Sequence, residues 1–334
     1  MEKIKIYVTA RIANILEKDA EGFEFFKKDG MSLNKNALIT KLIVNYHARF
    51  SQEQALLQRF LRTKFSALSS ANDETLNDLC AKTVEYFNDR TAAPAGEKFN
   101  VLLSLKPTKE SEPIVEYIEH YELTGRTLSE YFRSMFASYA ALPQDKREEI
   151  IFQPQYDALQ RAIREKKRVF LTLNNEKKTT IETSPYALSP SKEELHLYLI
   201  AAPARFCTVV RLSRILSVKQ LPDDAQFNER QIEVAEKMLR YGPQFTYRPK
   251  EETVVVELTP KGIDKFKRIY VHRPVPVKVE ENRYYFECSY AQIIQYFVRF
   301  GSDAKILSPD SVVYEVYHFH NCAALQYGKP KKPR

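Results

Sequence analysis

An α+β fold is expected for this chain of 334 residues, and three patterns predict it. Two stretches in the first half alternate apolar and polar residues, and helix-like segments follow each of them. A series of short strand-like segments with tight turns fills about 168–218. The last third then reads strand, helix, strand, strand, helix, strand. Alternation with period two marks half-buried strands, whereas apolar residues three and four apart mark helices.

Composition narrows the class. Hydrophobic residues make up 44% and aromatics 12%, enough to fill real cores, so a disordered chain is excluded. Only eight glycines are present, which argues against glycine-rich phosphate loops. No run approaches the about 18 apolar residues of a membrane span, and the start, Met-Glu-Lys-Ile-Lys-Ile-Tyr, has no secretory apolar region. Cys80, Cys207, Cys288 and Cys322 are scattered without C-x-x-C spacing, as expected of free thiols in a reducing cytoplasm. The formal charge of +8 suits an anionic partner, with nucleic acid the commonest, and equally a merely solvated lysine-rich surface.

Lys3 to Thr9 alternates strictly, with Ile4, Ile6 and Val8 on one face and Lys3, Lys5, Tyr7 and Thr9 on the other. A helix is expected from Arg11 to Lys28, stopped by Asp29-Gly30, and a second from Leu33 to Phe50 with Ser32 as its N-cap. Strand, helix, glycine turn, helix resembles the ribbon-helix-helix DNA-binding module, in which two strands pair into a ribbon whose outer face enters the major groove. The pattern recurs. Gly125 stands 95 residues after Gly30, and at that offset Phe99, Val101 and Leu103 replace Ile4, Ile6 and Val8. Thr127 and Glu130 have capping-box spacing. One chain therefore carries both halves of a ribbon, or β-α-α has recurred by chance. If the ribbon reads nucleic acid, Lys3, Lys5, Tyr7 and Thr9 are the contacts; the alternative is a dimerisation clamp. Helices at 52–68 and 73–88 fill the space between the units, and 91–96 is a loop.

A charged boundary at 142–149 precedes a helix from Ile150 to Lys167, and the short strands follow. Five strands with tight turns over 168–218 suggest a small barrel. Its centre is the hairpin Leu195–Ala202 and Phe206–Ile215, whose second strand ends in Arg211 and Arg214. Pro222-Asp223-Asp224 breaks the series, and Glu229 to Tyr241 is an amphipathic helix. The strand, helix, strand, strand, helix, strand order that follows is ferredoxin-like. The end, 328–334, reads as a basic tail broken by proline.

The order of helix, small barrel, linker helix and split β-α-β resembles the WYL-domain proteins of bacteria. Leu197-Tyr198-Leu199 stands where that family has Trp-Tyr-Leu, and Val210-Arg211-Leu212-Ser213-Arg214-Ile215 is similar to its Phe-Arg-Leu-Asp-Arg-Ile. Ser289 to Ser311, with Ile293-Ile294, Phe297, Phe300-Gly301 and Leu307-Ser308-Pro309, is similar to the extension that follows WYL domains. The chain departs from the family in having no Trp and in carrying Ser213 for the usual Asp. The resemblance implies an Sm-like barrel that binds nucleotides or single-stranded nucleic acid in a non-enzymatic regulator. With ribbon-helix-helix units in front, and with Thr127 to Arg133 and Tyr139 to Pro143, the chain further resembles the accessory WYL proteins of RNA-targeting type VI CRISPR systems, which bind single-stranded RNA and stimulate the effector nuclease in antiviral defence. The divisions implied are a first unit over 1–95, a second over 96–142, a WYL domain over 143–225, its ferredoxin-like extension over 226–327 and the tail.

Single-stranded nucleic acid needs a cationic track and aromatic faces, each stacked base being worth roughly 1–3 kcal/mol. The barrel offers Tyr186 and Tyr198 as stackers, His196 as a hydrogen-bonding group, and Arg205, Arg211 and Arg214 as phosphate partners. Tyr198 lies in an apolar strand, where a core tyrosine is the competing reading. Lys166, Lys167 and Arg168 are a solvated helix end or a groove rim. Cys207 and Cys288 read as small core residues within strands. No G-x-S-x-G, P-loop or H-E-x-x-H occurs, and His318, His320 and Cys322 fall on an expected helix where they diverge, so neither an enzyme, a cofactor nor a metal is expected. The leading expectation is a homodimeric cytoplasmic RNA-binding regulator; the alternative is a DNA-binding transcriptional regulator whose barrel senses a nucleotide.

Overall fold

The computed structural model describes residues 2–68, 72–123, 125–175, 177–191, 195–204, 206–248 and 250–327. The protein is a mixed α+β molecule with three antiparallel sheets among these residues, and it divides into two compact units, 1–157 and 158–334.

The first unit is built on a two-stranded ribbon. β1 (Ile4–Val8) pairs antiparallel with β2 (Val101–Leu105), so that Ile4 faces Leu105, Ile6 faces Leu103 and Val8 faces Val101. The ribbon forms within one chain. Alternation sends Ile6, Val8, Leu103 and Leu105 into the core and leaves Lys5, Tyr7, Leu102 and Ser104 outside. Around it lie α1 (Ala10–Gly22), α2 (Lys35–Ser66), α3 (Asp73–Ala92), α4 (Glu112–Tyr121), α5 (Leu128–Ala140) and α6 (Gln144–Ile151). Thr127 and Glu130 form the expected capping box at the start of α5. The outer edge of β1 is closed by α5: the Tyr7 N–H donates to Ser129 Oγ at 3.3 Å, and Arg133 Nε donates to the Tyr7 carbonyl at 2.8 Å.

Several expectations are corrected here. The first helix ends at Gly22, not Lys28. Phe23 is buried, Glu24 takes a positive φ of 62°, and Phe26 bridges to Leu33, so the chain turns before Asp29-Gly30. Asn34, not Ser32, caps α2 by accepting from the Ala37 N–H at 3.1 Å; the Ser32 N–H is used by the Asp29 carboxylate at 2.8 Å. The two helices expected at 33–50 and 52–68 are one helix of 32 residues, because nothing at Ser51 breaks the backbone ladder. The charged boundary at 142–149 is itself α6. A second helix, α7 (Gln153–Arg164), starts after Phe152, where Pro154 fits a first turn and cannot prolong α6.

The second unit carries two sheets. β3 (Lys167–Leu173), β4 (Thr180–Pro190), β5 (Leu197–Ala202), β6 (Thr208–Arg211) and β7 (Ile215–Asp224) make one sheet in the order β6-β5-β4-β3-β7. Among the described residues β6 and β7 are its two edges, so the expected barrel is an open ladder. The expected strand 206–215 is interrupted by a 3₁₀ turn over Leu212–Arg214, and β7 runs through Pro222 instead of stopping there. Pro222 is tolerated because β7 is an edge strand. Of Lys166, Lys167 and Arg168 only the first belongs to a helix end: Lys166 leaves α7 with φ of 52° and its N–H on the Ile163 carbonyl at 3.1 Å, and the other two open β3, with Lys167 bonded to Asp224 at 2.7 Å and Arg168 to Glu182 at 2.9 Å.

Beyond α8 (Glu229–Tyr241) come β8 (Val254–Leu258), α9 (Pro260–Arg268), β9 (Lys278–Glu280), β10 (Arg283–Phe286), α10 (Tyr290–Phe297), β11 (Ala304–Ser308) and α11 (Asp310–Tyr327). The sheet order is β11-β8-β10-β9, with the first strand between the fourth and third, as a split β-α-β arrangement places them. Cys207 and Cys288 lie just outside strands, not within them. Burial pushes the Cys288 thiol up to about 12. No helix among the described residues is long and apolar enough to cross a membrane. The tail 328–334 lies outside the described residues.

Candidate nucleic-acid interface

The β5–β6 hairpin sets up the site. Its register places Tyr198 opposite Arg211, Ile200 opposite Val209 and Ala201 opposite Thr208. Side chains on neighbouring strands that face each other lie within contact distance. Arg211 Nε accordingly donates to Tyr198 Oη at 3.1 Å, and the guanidinium carbon lies 5.8 Å from the ring centroid. Tyr198 is only 6% exposed, so its ring serves as a support and its hydroxyl as a positioning group for Arg211.

The 3₁₀ turn after β6 brings Arg214 to the same place. Arg211 and Arg214 line one cleft of about 380 Å³ together with Tyr198, Thr208, Asn174 and Asn175. Two arginines three apart on a straight strand fall on opposite faces, and the turn folds the second back towards the first. The Arg214 carbonyl accepts from the Asn174 N–H at 2.8 Å, and Asn175 folds its own turn by bonding Thr179 at 2.8 and 2.9 Å. Asn174 and Asn175 are legible in the sequence as a turn; nothing in it says that the turn borders Arg214.

The other expected residues fall elsewhere. Tyr186 is not among the residues lining the cleft. It sits in an irregularity of the β4–β5 ladder, donates to Glu236 on α8 at 2.5 Å and meets Phe227 edge-on at 5.2 Å. The Glu236 bond, with some burial, raises its hydroxyl to about 12. His196 is buried ahead of β5 and also lies outside the lining. Arg205 lies outside the described residues.

On the ribbon, Lys3, Lys5 and Tyr7 are exposed, with Lys5 opposite Ser104 and Tyr7 opposite Leu102. Thr9 is not part of this face. It is 1% exposed, and its Oγ1 caps α1 by accepting from the Ile12 N–H. Sequence alternation put Thr9 outside because β1 ends one residue before it. Lys106, at the far end of β2, is exposed and has its backbone held on both sides by Asn36 at 2.8 and 3.1 Å.

The fold so defined is an α+β chain in which an intramolecular ribbon and a helical unit accompany an open five-stranded sheet and a split β-α-β sheet. No family model and no curated protein matches the chain. It is similar to a solved structure described as a CRISPR Cas-related protein, with a TM-score of 0.61 at 19% identity over 98% of this chain and 94% of that one. The two share a fold from end to end. Proteasome accessory factor B/C of Arthrobacter aurescens aligns at a TM-score of 0.25 and 16% identity over 70% of this chain and 38% of that one, too loosely to bear on the fold.

Proposed function

We propose that the protein is a non-enzymatic nucleic-acid-binding regulator whose cleft over β5 and β6 takes single-stranded RNA or an oligonucleotide, with Arg211 and Arg214 on its phosphates. The observation that carries this reading is the convergence of these two arginines on one cleft, one of them held by Tyr198. The net charge of +8 supports it. In this reading the five-stranded sheet is an Sm-like WYL domain, β8 to β11 with their helices are its extension, and β1, β2 and the helices beside them are fused ribbon-helix-helix units. The chain then acts in the cytoplasm as a homodimer and an accessory that modulates an RNA-guided effector nuclease of a type VI CRISPR system; the fold it shares with a CRISPR Cas-related protein supports that assignment.

A second reading is favoured by the ribbon, which exposes Lys3, Lys5 and Tyr7 on one face. There the ribbon enters a DNA groove and the cleft senses a nucleotide. Affinities for single-stranded RNA and duplex DNA across a salt series separate the two. The first reading expects the RNA affinity to exceed the duplex affinity and to lose about one unit of salt slope per arginine replaced at 211 and 214. RNA binding untouched by Arg211→Ala plus Arg214→Ala sinks it.

A further inference from the structure

Beside the arginine cleft the same hairpin borders a second hollow. It has a volume of about 330 Å³ and is lined by Phe206, Cys207, Asn228, Arg230, Gln231, Val234 and Tyr247. Its floor is apolar and closed: Val234 and Tyr247 are each 6% exposed, and the Cys207 thiol donates to the Gln231 carbonyl at 3.0 Å, where burial raises it to about 11. A thiol in that state is inert, so the hollow is not a reactive site. Its rim is different. Phe206 is 68% exposed, and Asn228 and Arg230 are exposed as well. The first turn of α8 is already satisfied by the capping box of Asn228 and Gln231, at 2.9 Å both ways, so the helix end is not the attraction. What the hollow offers is an apolar slot with one exposed ring and one cation at its mouth.

Its position gives it meaning. Tyr198 and Ile200 share a face of β5, opposite Arg211 and Val209 on β6. The middle of that face is covered by α8, which packs Val234, Ala235 and Met238 against Ile200, with Cys207 and Val209 alongside. Arg211 opens into the first cleft on one side, and Cys207, two residues before Val209, opens into the slot on the other. We propose that the slot at Phe206 is a nucleobase site, in which the planar ring of a nucleotide enters over Val234 and Tyr247, stacks on Phe206 and leaves its phosphate towards Arg230. It rests on the nucleic-acid reading of the neighbouring cleft and adds a base-binding element that the arginines lack. Stacking on an aromatic ring is tolerant of base identity, so the site adds affinity and position rather than a strict sequence code.

The test uses the full chain, an eight-nucleotide single-stranded RNA scanned with one abasic position at a time, and adenosine monophosphate alone. Phe206 is exposed, so Phe206→Ala leaves the fold intact. The proposal expects Phe206→Ala to weaken RNA binding about 5- to 100-fold with an unchanged salt slope, and one abasic position to lose affinity in the parent protein but not in Phe206→Ala. Saturable adenosine monophosphate binding that Phe206→Ala removes supports a free nucleotide as occupant, and length-dependent RNA binding supports a strand. If Phe206→Ala leaves both the affinity and the abasic profile unchanged while Arg211→Ala still weakens binding, the base slot is wrong and the arginine cleft stands. If neither substitution matters, both fall.

Discussion

Arg211 and Tyr198 face each other across the β5–β6 ladder, and the guanidinium Nε donates to the buried phenol oxygen at 3.1 Å. A flexible cation is thereby held in one orientation at the edge of a cleft it shares with Arg214. Removing that bond while keeping the ring separates orientation from charge. Tyr198→Phe is expected to lower RNA affinity about 10- to 150-fold, the worth of one hydrogen bond to a charged group, without changing the salt slope. Arg211→Lys is expected to fail to restore parental affinity, because an ammonium cannot present the planar fork. Fluorescence anisotropy at several salt concentrations reads both.

In the first unit, Arg147 grips Asp19 with two parallel bonds, Nε to Oδ2 at 2.7 Å and Nη2 to Oδ1 at 2.9 Å, and Tyr139 adds a third at 2.8 Å. Asp19 is 1% exposed, so losing one partner strands a buried charge. Arg147→Ala is expected to cost about 3–5 kcal/mol in urea unfolding, whereas replacing both residues by apolar ones of similar size costs less than Arg147→Ala alone.

Acid should act on the second unit through Glu251. Burial raises its carboxyl above the ordinary 4.5, against the pull of the Tyr290 and Arg248 backbone bonds. Its Oε1 accepts from the Tyr290 N–H at 3.2 Å, while Oε2 is buried without a hydrogen-bond partner among the described residues. The folded state therefore takes up this proton before the unfolded chain does, and stability at this site grows as pH falls towards 4.5. The stability of the parent minus that of Glu251→Gln is expected to be larger at pH 4.5 than at pH 7; a difference that shrinks on acidification contradicts the account.

Gly262 lies in the first turn of α9, where a Cβ would stand 2.0 Å from the Asp303 carbonyl oxygen. The obstacle is backbone, at the start of β11, and cannot swing aside. Gly262→Ala is expected to destabilise the second unit by about 3 kcal/mol, read as a lowered thermal midpoint. Gly125→Ala, where a Cβ meets nothing within 4 Å, should cost less, through its positive φ of 89° alone.

Period-two alternation located the ribbon strands and the core residues Ile6, Val8 and Leu103, because burial of one face is written into each residue's neighbours at i±2. Alternation does not mark the end of β1, so by itself it places Thr9, a helix cap, on the outward face. Helix ends escape local patterns for the same kind of reason. Asp29-Gly30 and Ser32 carry the chemistry of a stop and a cap, yet Phe23 and Asn34 perform those tasks, since a buried phenylalanine turned the chain first. The candidate arginines were legible as residues but not as a pair: only the 3₁₀ turn at Leu212–Arg214 folds Arg214 beside Arg211. Tyr186 carried the same aromatic signal as Tyr198, and its bond to Glu236 on α8 takes it elsewhere.

The amino-acid sequence by itself determined the α+β class and the apolar face of the ribbon strands, because those depend on residues a few positions apart. The tertiary structure decided that β1 and β2 pair within one chain, that the five-stranded sheet stays open among the described residues, and that Tyr198, Arg211 and Arg214 line one cleft whose lining does not include Tyr186 or His196. Those outcomes depend on contacts between residues far apart in the chain, Ile4 with Leu105 and Tyr186 with Glu236, whose partners no local pattern specifies.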